Sequence, residues 1–542
     1  MDAQLSVPVP RNEPVRAYAP DSAERASLQS RIEAMLGERA DLTMTIGGRR
    51  TRGGGPEIEV VQPHRRHEVL GTMGNATRAD AAAAVEAAKQ AAPGWRALPF
   101  HERAAVFLRA AELLAGGWRD TLNAATVLGQ SKSVQQAEID AACELIDFLR
   151  FNAAFGEQVL REQPQSSPGV WNQFDHRPLE GFVYAITPFN FTAIAGNLPA
   201  APALMGNTVL WKPSPTQQLS AHWTMRLFEA AGLPPGVINM VTGDGLAVSD
   251  VALADPDLAG IHFTGSTATF QHLWKEVGAN IGRYRTYPRL VGETGGKDFV
   301  IAHPSADADI LHTALVRGAY EYQGQKCSAA SRAYVPRSIW EGGLRDRLAA
   351  TVAAIRYGDV TDLSTFGGAV IDARAFARLA AALDRIKNSA ACTVLAGGTT
   401  DDSAGWFVAP TVVECTDPTH EVFTTEYFGP ILSVHVYPDD EFEETVALAD
   451  AAAPYALTGS IFATDRAVVD RASHLLRFTA GNFYVNDKPT GAVVGQQPFG
   501  GARGSGTNDK AGSVLNLLRW VSPRTIKETF EPPTDWTYPH MH

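Results

Sequence analysis

Short apolar runs alternate with helical stretches from residue 181 onward, and this alternation constrains the fold more than any other feature of the chain. A helical stretch at 221–232, ending in Gly232, separates two of the runs. Strand–helix alternation at this spacing predicts βαβ units and a parallel sheet. A second alternating region, about 295–485, predicts another α/β unit. The strand-like runs are 181–188, 207–213, 237–243 and 260–266.

The N-terminal part predicts helices and hairpins. The segment 22–36 is helical and ends near Gly37, and the glycine-rich region 42–75 indicates hairpins. A helical pattern begins at Thr77 and is expected to stop at Pro93-Gly94, because this dipeptide breaks helices. Two further helices are expected at about 100–116 and 134–155.

Size and charge exclude several classes of protein. A chain of 542 residues is too long for one simple core, so at least two domains are expected. The formal net charge of −12 leaves no basic excess for nucleic-acid binding. No apolar run reaches the length of roughly 18 residues that a membrane span needs, and the N-terminus lacks the features of a signal or transit peptide. We therefore expect a cytoplasmic protein with no membrane or nucleic-acid partner.

The four cysteines are widely spaced and never form C-x-x-C. A disulfide framework or a zinc site is therefore not expected, and no metal is predicted. The cysteines are Cys143, Cys327, Cys392 and Cys415.

Cys327 lies in the polar run G-Q-K-C-S, and Glu293 precedes it by 34 residues in E-T-G-G-K-D. A thiolate is a strong nucleophile, and a carboxylate can activate water. Asn190, between Phe189 and Phe191, could stabilise an oxyanion through its amide. The ordinary alternatives are a buried structural thiol, a surface glutamate and an amide bonded to a backbone carbonyl. Together the three residues point to covalent aldehyde chemistry.

A dinucleotide site is indicated more weakly. No G-x-G-x-x-G motif is present, but F-T-G-S at 263–266 ends a strand and opens a helix, whose first amides could bind a pyrophosphate. Lys212 ends another strand, where its ammonium could reach ribose hydroxyls or phosphate; the alternative is a surface lysine.

Five motifs occur in the order T-P-F-N-F, W-K-P-S, F-T-G-S, E-T-G-G-K and G-Q-K-C, and E-Y-F-G-P follows at 426–430. This set resembles the aldehyde dehydrogenase superfamily. The runs 138–152 and 486–510 are similar to its branch that acts on L-glutamate γ-semialdehyde. The resemblance extends from about residue 12 to the C-terminus.

The resemblance implies an α/β aldehyde dehydrogenase fold, with a Rossmann-like NAD-binding domain, an α/β catalytic domain and a small β oligomerisation hairpin. The implied parts are 1–163 and 181–292 for the NAD-binding domain, 164–180 for the hairpin, 293–485 for the catalytic domain, 486–514 for a substrate anchor loop and return segment, and 515–542 for a C-terminal oligomerisation segment. A homodimer or higher homo-oligomer is expected.

The implied activity is NAD-dependent oxidation of glutamate γ-semialdehyde to glutamate, the second step of proline breakdown. Cys327 would be the nucleophile, Glu293 would activate water, and Asn190 would hold the oxyanion. The implied cofactor contacts are Thr187, Phe189, Lys212, Gly265, Ser266, Glu426 and Phe428. The implied substrate contacts are Phe191, Ser328, Gly491, Ala492 and Phe499.

Two departures from the family pattern concern the cofactor. Pro215 stands where many members have a glutamate that disfavours NADP, and Phe270 stands where many have a glycine near the phosphates. The alternative functions are oxidation of succinic or aminoadipic semialdehyde, acyl transfer to coenzyme A, and a non-catalytic scaffold. Hand-over of the substrate by a proline dehydrogenase is a further possibility.

Overall fold

Two seven-stranded sheets organise the protein, which a computed structural model describes over residues 6–542. In spatial order the strands of the first sheet are Arg289–Glu293, Leu258–Thr264, Phe182–Thr187, Thr208–Pro213, Ile238–Met240, Met44–Ile46 and Arg49–Thr51. Its first five strands are parallel, and the last two form an antiparallel hairpin. The parallel sheet predicted from residue 181 onward is therefore confirmed.

The second sheet follows directly in the chain, which leaves the first sheet at Glu293 and enters the second at Asp298. In spatial order its strands are Cys392–Ala396, Thr411–Cys415, Ile431–Tyr437, Ala330–Pro336, Asp298–Ala302, Thr458–Phe462 and Asn482–Val485. The pairings are parallel except at Cys392–Ala396, an antiparallel edge strand.

Helices cover both faces of each sheet. In the first sheet, Val183 packs into one apolar cluster and its neighbour Tyr184 into another. Phe299 and Val300 divide in the same way in the second sheet. Because successive side chains of a strand point to opposite faces, both sheets are buried on both sides, as parallel sheets require. The helices are Ala23–Leu36, Arg78–Ala97, Phe100–Ala115, Arg119–Gln130, Val134–Ala137, Leu145–Arg161, Thr192–Leu204, Gln218–Ala230, Leu246–Ala254, Thr267–Ala279, Ala308–Tyr320, Arg337–Ile339, Arg345–Ala354, Ala373–Lys387, Glu421–Thr424, Phe442–Ala451, Arg466–Leu475 and Val514–Leu518.

The N-terminal part contains smaller sheets and one deviation from expectation. The helix from Arg78 runs through Pro93 to Ala97, so the predicted stop at Pro93-Gly94 is wrong. Trp95 explains the extension, since it is buried and its indole N–H donates to the Ala203 carbonyl at 2.8 Å. The smaller sheets comprise Ala40–Asp41 with Arg65–Gly74 and Glu57–Gln62, Thr400–Asp401 with Phe407–Val408, and Tyr455–Ala456 with Ala502–Arg503.

The segment 164–180 contributes a single strand, Val170–Pro178, so the hairpin predicted there is wrong. Its partner is Val521–Thr529, which aligns antiparallel over nine residue pairs. Both strands lie in segments, 164–180 and 515–542, that the resemblance assigned to oligomerisation. Within residues 6–542 no helix has both the length and the apolar character needed to cross a membrane.

Candidate active site

Cys327 follows a segment with unusual backbone geometry. Tyr322, Gln323 and Gly324 have φ values of 49°, 53° and 62°, in the left-handed region. Side chains fix this strained conformation, since Tyr322 and Gln323 are fully buried. A Cβ on Gly324 would lie 2.3 Å from the Gly429 carbonyl oxygen, so only glycine fits there. The loop thus holds Cys327 rigidly.

The Cys327 thiol is 9% exposed, so it is more enclosed than the polar sequence around it suggested. Burial, and then the carboxyl groups of Asp298, Glu293 and Glu426, raise the pKa of this thiol well above its usual range. The resting cysteine is therefore a neutral thiol. A nearby proton acceptor must take its proton before the sulfur can attack.

Glu293 is one of the carboxyl groups that act on the Cys327 thiol. It ends the outer strand of the first sheet, and its carboxylate accepts a hydrogen bond from the Gly501 N–H at 2.8 Å. Burial raises the pKa of Glu293 well above its usual range, whereas Gly501 and the Lys510 ammonium act in the opposite direction. Lys510 is itself held by the carbonyl oxygens of Gly481 and Gly500, at 2.7 and 3.1 Å. Sequence reasoning had not identified Lys510.

Asn190 lies next to the loop 322–327, which carries Cys327. Its amide is 3% exposed and donates a hydrogen bond to the Gln325 carbonyl at 3.0 Å. The Asn190 amide is therefore bonded to a backbone carbonyl, which was the ordinary alternative to an oxyanion. This bond uses only one of the two amide hydrogens. Asp140 positions the start of the helix Thr192–Leu204, which follows Asn190. Its carboxylate caps this helix by accepting the Thr192 and Ala193 N–H groups.

A cavity of about 910 Å³ brings most of the predicted substrate and catalytic residues together. The Ser328 hydroxyl shares a hydrogen bond with Thr490 at 2.8 Å on its wall. The cavity is lined both by polar groups, such as Ser328, and by the apolar rings of Phe191 and Phe499. This combination suits a short aliphatic molecule with polar ends. The predicted residues on the lining are Glu293, Cys327, Phe191, Ser328, Gly491, Ala492 and Phe499.

Glu144 also lines this cavity, although the sequence analysis had not singled it out. It ends the π-helical segment Glu138–Glu144, a rare geometry that is frequent at functional sites. Burial, together with Asp140, raises the pKa of Glu144 well above its usual range. A signal was available, since Glu144 belongs to the 138–152 run that carried the resemblance. Within residues 6–542 the Glu144 carboxyl group has no hydrogen-bond or ion-pair partner, and a carboxylate in the cavity is a natural partner for an ammonium group.

The predicted cofactor residues Thr187, Lys212 and Gly265 lie at or just beyond the carboxyl ends of parallel strands of the first sheet. The Lys212 ammonium is largely buried, and it makes no hydrogen bond to any residue in the described range 6–542. Burial lowers the pKa of Lys212 to about 8. A Cβ on Gly245 would lie 3.5 Å from the Lys212 Nζ, so the glycine leaves space beside the ammonium. A ribose or phosphate oxygen would supply the missing partner.

The turn at Gly265 and Ser266 opens the helix Thr267–Ala279, as predicted. Ser266 caps this helix by accepting from the Thr269 N–H at 3.2 Å. Phe270 stacks on Phe263 with 5.4 Å between ring centroids and is buried against the sheet. The departure at Phe270 therefore fills the core beneath the turn and leaves the helix N-terminus open.

The Glu426 carboxylate accepts a hydrogen bond from the Gly296 N–H at 2.8 Å. Burial raises the pKa of Glu426. Phe428 has a φ of 56° and meets Phe189 edge to face at 5.9 Å. Thr187 accepts from the Trp211 indole N–H at 3.0 Å, so this contact explains its burial without a cofactor.

Comparison with known proteins agrees with this geometry. The Aldehyde dehydrogenase family pattern matches residues 50–526. The chain is 48% identical over 547 residues to the probable delta-1-pyrroline-5-carboxylate dehydrogenase of Schizosaccharomyces pombe, covering 99% of both proteins. It is 48% identical over 531 residues to the mitochondrial delta-1-pyrroline-5-carboxylate dehydrogenase of Homo sapiens, covering 98% of this chain and 94% of the relative.

The fold is also close to a solved structure. A crystal structure of the delta-pyrroline-5-carboxylate dehydrogenase from Mycobacterium tuberculosis bound with NAD has a TM-score of 0.97, 66% sequence identity and full coverage of both chains. With the family pattern matching most of its length, this chain belongs to the aldehyde dehydrogenase family.

Proposed function

We propose that this protein oxidises L-glutamate γ-semialdehyde, the open form of Δ1-pyrroline-5-carboxylate, to L-glutamate with NAD. The observation that carries this function is the single cavity that joins Cys327 and Glu293 to Ser328, Ala492 and Glu144. Relatives that carry the matching enzyme name over nearly the whole chain support it.

The reaction begins at the sulfur. Cys327 Sγ, after its proton has passed to Glu293 and on to solvent, attacks the aldehyde carbon and forms a thiohemiacetal. The second amide hydrogen of Asn190 and the Cys327 backbone N–H are the donors for the oxyanion. Because Asn190 is hydrogen-bonded to Gln325, two residues before Cys327, the same loop positions both donors.

NAD would bind at the end of the first sheet. Lys212 would bind the adenosine ribose, the turn at Gly265 and Ser266 the pyrophosphate, and Glu426 the nicotinamide ribose. The Lys212 ammonium, which has no hydrogen-bond partner within residues 6–542, and the space beside Gly245 support this assignment. Bound there, NAD would supply the hydride acceptor for the thiohemiacetal carbon, and loss of the hydride would leave a thioester on Cys327.

Glu293 completes the cycle as general base for hydrolysis. Its carboxyl group is fixed by Gly501. Burial raises the pKa of Glu293, which makes the ionised group a stronger base for water, and the Lys510 charge offsets part of that rise. A base for water is needed only when the acyl group passes to water, which argues against transfer to coenzyme A.

Substrate choice follows from the polar groups of the cavity. The Ser328 hydroxyl and the backbone N–H groups of Gly491 and Ala492 would bind the α-carboxylate, and Glu144 would bind the α-ammonium. Phe191 and Phe499 would contact the methylenes. A site that hydrogen-bonds a polar group strongly rejects analogues without it. Succinic semialdehyde lacks the ammonium and is therefore disfavoured.

Steady-state kinetics test this function. We expect a higher kcat/KM with pyrroline-5-carboxylate than with succinic or aminoadipic semialdehyde, and a higher value with NAD than with NADP. Cys327→Ala is expected to abolish NADH formation while NAD binding, measured by calorimetry, persists. Faster turnover of succinic semialdehyde would refute the substrate, and turnover by Cys327→Ala would refute the nucleophile.

Assembly and location remain predictions. We infer a homodimer or higher homo-oligomer in which the partly exposed ribbon of Val170–Pro178 and Val521–Thr529 contacts a second subunit. Deletion of residues 521–542 should then lower the mass measured by light scattering. The cytoplasmic location and a hand-over from proline dehydrogenase rest on the sequence alone, and the human relative is named as mitochondrial.

A further inference from the structure

Two thiols and an imidazole meet at the edge of the second sheet. Cys392 begins the edge strand and lies directly opposite Cys415 on the neighbouring strand, with 3.4 Å between the two sulfur atoms. The ring nitrogens of His420 lie 3.8 and 3.9 Å from the Cys392 sulfur. One ligand atom from each residue falls within 4.8 Å of the other two. None of the three residues lines the substrate cavity.

We propose that Cys392, Cys415 and His420 form a binding site for a thiophilic divalent cation such as Zn²⁺, with water as the fourth ligand. Tetrahedral coordination with Zn–S bonds of about 2.3 Å separates two sulfur atoms by roughly 3.8 Å. The observed 3.4 Å therefore requires only a small outward movement of the thiols. Cysteine thiolate and imidazole are the ligands that Zn²⁺ prefers.

Two of the three proposed ligands are accessible to an ion from solution. Cys392 and His420 are partly exposed, whereas Cys415 is buried. A bound cation would displace the thiol protons of both cysteines, because cysteine binds metals as the thiolate.

Binding also has a local consequence. The His420 Nδ1 accepts the Val422 N–H at 3.3 Å and so caps the short helix Glu421–Thr424. A neutral imidazole has only one unprotonated nitrogen. If that nitrogen binds a cation, it no longer accepts the Val422 N–H, and the cap is lost. Asparagine is a good capping residue without an imidazole. His420→Asn therefore removes the ligand while it preserves the cap.

The test uses Cd²⁺ as the probe and the reduced Cys327→Ala protein, which lacks the catalytic thiol. We expect one Cd²⁺ per chain, measured by the ultraviolet thiolate–Cd²⁺ charge-transfer band and by elemental analysis after dialysis. Cys392→Ser or Cys415→Ser in this background should weaken binding by more than ~100-fold, since loss of groups that merely support a ligand already costs 10–100-fold. His420→Asn should weaken it in the same direction.

Cys143→Ser is the matched control, because Cys143 is a buried thiol on a helical segment of the N-terminal part. It should bind Cd²⁺ as the parent does, and circular dichroism should show every variant folded. The proposal is overturned if the parent binds no Cd²⁺ or if Cys392→Ser leaves binding unchanged. It is equally overturned if the reduced protein binds no Cd²⁺ while peptide mapping of oxidised protein finds a Cys392–Cys415 disulfide.

Discussion

Glu144→Gln tests how the cavity recognises an amino-acid aldehyde. Glutamine keeps the size of the side chain but removes its capacity for negative charge, so an α-ammonium loses a charge-assisted hydrogen bond. Such a bond contributes about 1.5–3 kcal/mol. At about 1.4 kcal/mol for each factor of ten, kcat/KM for pyrroline-5-carboxylate should fall by roughly 10- to 150-fold.

The pKa of Glu144 decides how this loss varies with pH. Burial and Asp140 raise this pKa, which favours the protonated form. Ionising the group for the substrate consumes part of the gain, so the loss should be smaller at low pH. Because the ionised form prevails as pH rises through the raised pKa, the effect of the substitution should grow with pH.

The assay compares pyrroline-5-carboxylate with succinic semialdehyde at several pH values. Succinic semialdehyde has no ammonium, so its kcat/KM should change less than about twofold, within the range of a minor surface effect. Glu13→Gln is the matched control, since this cavity-lining carboxylate is already held by Arg119 and Arg150 at 2.6 and 2.8 Å. Equal losses for both substrates would refute the assignment of Glu144 to the ammonium.

Three further predictions concern the same site. Glu293→Ala should accumulate the acyl-enzyme, seen as an added mass on the intact protein, and an unmodified chain during turnover would contradict its role in hydrolysis. Ala492→Leu should raise KM for pyrroline-5-carboxylate but leave simple aldehydes nearly unaffected; a uniform rise would remove the anchor role of the loop. Lys510→Met should raise the pKa of Glu293 further, so the decline of kcat toward low pH should begin at a higher pH than in the parent. Lys510→Arg keeps the charge and should restore the parent profile.

Sequence patterns determined the central architecture and the chemistry. The alternating runs from residue 181 gave the parallel sheet because each buried strand is a continuous apolar segment. Ser22 and Thr77 marked helix starts, and both side chains accept a backbone N–H as caps. The motifs around Cys327 and Glu293 also identified the reaction, since few residue types can perform each step.

Contacts between distant residues decided what the sequence left open. Trp95 carries its helix past Pro93 through a bond to Ala203, which local propensity cannot anticipate. The strand Val170–Pro178 pairs with Val521–Thr529, and the sequence of neither segment indicates this pairing.

The sequence by itself determined the reaction, because a thiol, a carboxylate and an amide in recognisable motifs specify covalent aldehyde oxidation. Only the tertiary structure placed Glu144 in the cavity, because residues far away in the chain, such as Cys327 and Ala492, form its other walls. Only strand register brought Cys392 opposite Cys415, although their spacing had argued against a metal site. The physical reason is common to both cases: residue types carry chemistry locally, whereas packing and pairing over long separations decide which groups meet.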